Sequence, residues 1–111
     1  NLVIAGVTDE DMVLAGKRVI ENGGGLAIAL EGKVLADLPL PIGGLMADEP
    51  VEVVDEKLEH MKKLSVELGI SEDIDAFMTL AFISLPVIPK LRLNTYGVVD
   101  VEKHQVVEAR F

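Results

Sequence analysis

Apolar positions recur along this chain with several spacings, and each spacing predicts a different element. Leu2 to Ala5 is a continuous apolar run closed by Gly6, with the length and β-branched content of a buried strand. From Thr8 the period changes to that of a helix. Met12, Ala15, Val19 and Ile20 fall on one face, and Lys17 and Arg18 lie toward the end. Thr8 can accept from the amide of Asp11 while the Asp11 carboxylate reaches back, a capping-box arrangement, and Asp9, Glu10 and Asp11 suit the positive end of the helix dipole. Gly23 supplies a stop, so the pattern predicts a helix over 9–22. Gly25 to Leu30 is apolar at every position, and Glu31-Gly32 turns it tightly into Lys33 to Asp37, a hairpin. The helical crossover predicts a strand–helix–strand–strand start in which the first two strands run parallel. Ala27 and Ala29 leave one strand face small, with Gly16 as the candidate for close helix approach.

Residues 38–49 carry two prolines and two adjacent glycines and read as an ordered loop, apolar for a loop. A second helix opens near Asp48 to Pro50, where proline costs no hydrogen bond. Its stripe is Val51, Val54, Leu58, Met61, Leu64 and Leu68, with Gly69 ending it. Ser71 to Leu85 is apolar without clear alternation; acidic residues at its start and Pro86 at its end favour helix over strand. Pro86 and Pro89 bracket an extended link, followed by three short strands at 91–93, 98–101 and 105–109. The expected fold is α+β: one two-layer domain, a mixed sheet with two or three helices packed on it.

The chain has 111 residues, 19 acidic against 10 basic side chains, a net charge of −9 and no cysteine. At this length a single domain buries roughly two thirds of its unfolded surface, enough for a core without disulfides. The absence of thiols removes thiolate zinc sites, iron–sulfur ligation and a cysteine nucleophile. The negative charge disfavours nucleic acid and anionic membrane as partners, and no uncharged apolar run approaches the ~20 residues of a membrane span. The chain opens on Asn1 without a basic-plus-apolar leader, which reads as a piece of something longer whose first strand has a neighbour upstream.

The candidate chemistry is sparse. His60 follows Glu56 by one helical turn, a spacing that could place two metal ligands on one face, but nothing nearby in sequence supplies a third, and a solvated Glu–His pair accounts for it. His104 sits in a turn without a serine or cysteine to activate. Gly23-Gly24-Gly25 follows a helix, so it cannot set phosphate on a helix N-terminus. Asp9, Glu10 and Asp11 are explained by capping. Pro39/Pro41 and Pro86/Pro89 have apolar flanks that suit packed loops. No catalytic, cofactor-binding or metal-binding residue is assigned.

Five segments carry a resemblance. They are Gly6 to Met12, Gly32 to Met46, the Asp48-Glu49-Pro50 helix opening, Phe77 to Phe82 with Leu85 to Pro89, and Gly97 to Lys103. In this order they resemble the C-terminal domain of microbial adenine deaminases of the amidohydrolase superfamily. The resemblance implies a parent that hydrolyses adenine to hypoxanthine and ammonia with a metal-activated water, the divalent ion being manganese or iron. It places the chemistry in an upstream (β/α)8 barrel, and implies a cytoplasmic location and a homo-oligomer. The superfamily's His-x-His pair has no match here, so this fragment is expected to be inactive alone. Leu38, Pro39, Leu40, Pro41, Ile42, Gly43, Gly44, Leu45 and Met46 then form a candidate docking loop against the barrel or a neighbouring subunit: apolar, stiffened by proline, and without an internal reason to be so. The rival expectation is a free-standing, non-catalytic module that binds a small ligand or a protein.

Overall fold

The computed structural model describes residues 1–109. Its elements are α1 (Asp9–Glu21), β1 (Gly25–Leu30), β2 (Lys33–Pro39), α2 (Val51–Glu67), α3 (Ala76–Ile83), β3 (Leu91–Asn94), β4 (Gly97–Asp100) and β5 (Gln105–Val107). The class is α+β. Two compact units divide the chain, one formed by Ile4–Ala76 and the other by Asn1–Val3 with Phe77–Phe111.

In the first unit, α1 and α2 lie against the β1–β2 hairpin. Thr8 stands at the N-cap in extended geometry and accepts from the Asp11 amide at 3.4 Å. The C-terminal end of α1 is tied to β2 through Asp37, whose Oδ2 accepts from Asn22 Nδ2 at 2.8 Å and lies 3.6 Å from Arg18 Nε. Gly16 is the buried residue of α1, as its lack of a side chain allows. Ile20, by contrast, is 70% exposed and leaves the apolar face on which periodicity places it. In α2 the middle of the stripe is the part that packs: Met61 is fully buried and Ser65 beside it is buried too, its hydroxyl donating to the Lys62 carbonyl at 2.7 Å. Val51 and Leu68 at the two ends are exposed. Ile28, Leu38 and Met61 form the buried apolar centre.

Both sheets are antiparallel, β1–β2 and β3–β4–β5, so the mixed sheet with a parallel first pair is corrected. Leu2 to Ala5 forms no strand, because among the described residues no ladder partner satisfies its amides and carbonyls. The helix expected from Ser71 begins only at Ala76. Ser71 and Asp73 satisfy the backbone locally instead: the Asp73 amide donates to Ser71 Oγ at 3.4 Å and the Ile74 amide to the Ser71 carbonyl at 3.0 Å.

In the second unit, Asn94 pairs with Gly97 across a two-residue turn whose Tyr96 amide donates to Asn94 Oδ1 at 2.8 Å. Val101 leaves the strand assigned to it and enters the turn before β5, where it is the buried apolar residue of this unit. Its amide donates to the Lys90 carbonyl at 2.9 Å, and the Arg92 guanidinium donates to the Pro89 carbonyl at 2.8 Å. These bonds pin the proline-bracketed link.

Candidate docking loop

The loop begins inside the core. Leu38 is 2% exposed, packed within its own unit, and so cannot contact a partner; it leaves the docking set. Pro39 closes the β1–β2 ladder opposite Gly25, an end position that asks for no proline amide. Leu40 is half-buried and its amide donates to the Gly24 carbonyl at 3.0 Å.

Beyond Pro41 the chain folds on itself. Ile42 bridges Met46 antiparallel, the Ile42 amide donating to the Met46 carbonyl at 3.2 Å. Leu45 and Met46 both donate to the Ile42 carbonyl at 3.2 Å. Gly43 and Gly44 are the central residues of the Ile42–Leu45 turn, with φ of 67° and 76°, a left-handed pair that side chains resist. The result is a miniature hairpin with Ile42, Leu45 and Met46 turned out: 48%, 81% and 59% exposed. No charged residue occurs from Leu38 to Ala47.

A glycine contact seats this hairpin. Gly24, at φ 130°, approaches Gly44 so closely that a Cβ on Gly24 would stand 2.5 Å from the Gly44 Cα and 3.2 Å from the Leu40 carbonyl oxygen. A Cβ on Gly25 would strike the Leu38 carbonyl. Sequence reasoning assigns Gly23-Gly24-Gly25 to a helix stop; Gly24 and Gly25 in addition let two backbones meet. The signal available in the sequence was the matching Gly43-Gly44 pair twenty residues on.

The other candidates separate. Asp11 does more than cap. Its Oδ1 accepts from the Gly32 amide at 2.8 Å, and its Oδ2 from the Glu31 amide at 3.1 Å and the Thr8 hydroxyl at 3.0 Å, joining the start of α1 to the hairpin turn. The Gly32 N–H, with help from Thr8 and Glu31, holds its carboxyl below the ordinary value of 3.8 against the opposing effect of burial. Asp9 and Glu10 are exposed and line, with Val13, Leu14, Lys17 and Gly32, a shallow open depression. Glu56 and His60 are exposed on α2, and His104 is exposed in its turn at φ 52°. Among the described residues no three His, Cys, Asp or Glu side chains converge as cation ligands, so the residues present do not fit the metal that the resemblance implies. No described helix is long and apolar enough to cross a membrane.

The family described as adenine deaminase C-terminal domain matches residues 1–105. Adenine deaminase 2 of Carboxydothermus hydrogenoformans is 50% identical over 107 residues, 96% of this chain and 19% of that protein. The adenine deaminases of Kosmotoga olearia and Brucella abortus are 51% and 44% identical, each over 96% of this chain and 18% of the relative. The chain thus spans about a fifth of the length of the relatives it matches. It belongs to the adenine deaminase C-terminal domain family.

Proposed function

We propose that this chain is the C-terminal domain of a metal-dependent adenine deaminase and that its work there is structural, docking by its apolar hairpin onto the catalytic part of the same polypeptide. The parent reaction is hydrolytic: water supplies the oxygen of hypoxanthine, the exocyclic C–N bond breaks and ammonia leaves. Manganese or iron as the metal, a cytoplasmic location and an oligomeric parent belong to the same reading. No residue of this chain holds the metal in it, and no step of the reaction is assigned here.

One observation carries the docking role. Ile42, Leu45 and Met46 are held outward on a hydrogen-bonded turn in an uncharged stretch, within a chain that is otherwise strongly acidic. Apolar side chains fixed in water by the backbone mark an interface more strongly than scattered ones do. The occupant is argued from length: about four fifths of each relative lies outside the region this chain matches.

The test uses the full-length polypeptide. With Leu45→Asp and Met46→Asp combined, calorimetry is expected to split one unfolding transition into two as the domain lets go. A double variant that unfolds in one transition, at the wild-type temperature, overturns the docking role. The purified chain with adenine and manganese or iron is expected to release no ammonia; turnover abolished by a chelator would place the chemistry here.

A further inference from the structure

The docking hairpin has two parts with different duties. Its outward side chains make a surface; its backbone determines where that surface stands. Ile42, Leu45 and Met46 are all exposed, Leu45 most of all at 81%, which leaves the backbone as the described link between the hairpin and the rest of the unit. What fixes it is backbone: the Leu40 amide on the Gly24 carbonyl, and the close passage of Gly24 against Gly44. We infer that Gly24 and Gly44 are positioning residues for docking, holding the hairpin in its seated orientation before the partner surface arrives, and that the partner surface is an apolar, uncharged socket on the catalytic part. This rests on the docking role proposed above.

The physical reason is preorganisation. A loop that must be ordered on contact spends interface energy on its own ordering, whereas a seated one does not. Gly24 accomplishes the seating at no side-chain cost, because its φ of 130° and the space beside Gly44 both exclude a Cβ. Gly23, one residue earlier, also has a positive φ of 73° but has nothing within 4 Å of a Cβ, so it marks the helix end without touching the hairpin. Three adjacent glycines therefore divide into a helix stop, a hairpin seat and a strand start.

The experiment is hydrogen exchange of the full-length polypeptide, reading the Leu40, Ile42 and Met46 amides, with calorimetry alongside. Gly24→Ala is expected to speed exchange at these amides by ~10-fold or more and to split the unfolding transition as Leu45→Asp does. Leu45→Asp is expected to split the transition while leaving the Leu40 amide, which is bonded inside the unit, at its wild-type rate. Gly23→Asn, a residue that tolerates this φ, is expected to match wild type in both readouts. If Gly24→Ala does not fold, Gly44→Ala tests the same seat more gently, since its Cβ would stand 4.0 Å from the Gly24 Cα and strain would come from φ alone. Wild-type exchange and one transition in the folded glycine variant overturn the positioning role. Accelerated exchange with one transition in every variant, Leu45→Asp included, would instead sink the docking role and leave the seat standing as architecture.

Discussion

The Ile4–Ala76 unit and the unit containing Phe77–Phe111 use apolar residues at similar density but cover them differently. In the first, α1 and α2 each carry one apolar stripe, and a hairpin with small residues at its centre receives them; Ile28, Leu38 and Met61 disappear from solvent. In the second, α3 is apolar on every side, none of its residues is buried, and Val101 is the buried apolar side chain. A helix with one stripe finishes its packing against one surface; a helix apolar all round needs cover on all sides. Self-sufficiency is thus a property of patterning, not of hydrophobicity.

The sharpest way to break this contrast is to delete side chains from each unit. Met61→Ala removes a fully buried side chain and is expected to cost about 2–5 kcal/mol. Phe82→Ala removes a larger one that is 43% exposed, and the expected loss is only about 1 kcal/mol. Urea unfolding of this chain followed by far-ultraviolet circular dichroism measures both. Equal losses would show that α3 packs as tightly as α2 and would remove the distinction.

The same contrast governs what could be read from the sequence. The helices over 9–21 and 51–67 and the Glu31-Gly32 hairpin were legible because the first helix has a side-chain cap, both helices have an apolar stripe and the hairpin has its turn pair. Leu2 to Ala5 was misread because a strand is a relation between two segments, and its composition cannot say whether the second is present. The first turn expected of α3 was lost to Ser71, whose hydroxyl and carbonyl take the Asp73 and Ile74 amides. In the loop, composition revealed the apolar character of residues 40–46 but not that Leu38 is core, because burial of one residue at a strand end depends on what packs over it. The Gly24–Gly44 seat was hidden for a further reason: a contact between residues without side chains leaves no periodic trace.

Smaller effects sharpen the comparison at the level of single caps. Thr8 anchors a helix by accepting from the Asp11 amide and donating to the Asp11 carboxylate. Thr8→Ala is therefore expected to cost about 1 kcal/mol. Asn94 anchors only a strand turn, through the Tyr96 amide. Asn94→Ala should cost about 0.5 kcal/mol. Thermal unfolding of both variants decides; a larger loss at Asn94 would mean that the three-stranded unit depends on its turn more than the hairpin unit depends on its helix cap.

The smallest expected effect is a pH dependence that differs in kind between the units. Asp11 is held below 3.8 first by the Gly32 amide, with no cation involved. Asp100 is held below the same value first by the side chain of Lys103, whose Nζ lies 3.1 Å away and is well exposed. For both, a folded pKa below the unfolded one means stability that is present above the unfolded pKa and lost as pH falls through the folded pKa, on the acid side of 3.8. Salt separates the two causes, because at ~1 M the screening length is about 3 Å and an exposed ion pair weakens while an amide–carboxylate hydrogen bond persists. Asp11→Asn is expected to flatten the acid limb of the urea midpoint at low and high salt alike; Asp100→Asn is expected to flatten it more at low salt than at high, because the Lys103 side chain is screened while the Lys103 amide, which donates to Asp100 Oδ1 at 3.0 Å, is not. An Asp11 contribution that vanishes in salt would show that the turn is gripped through charge and not through the Glu31 and Gly32 amides.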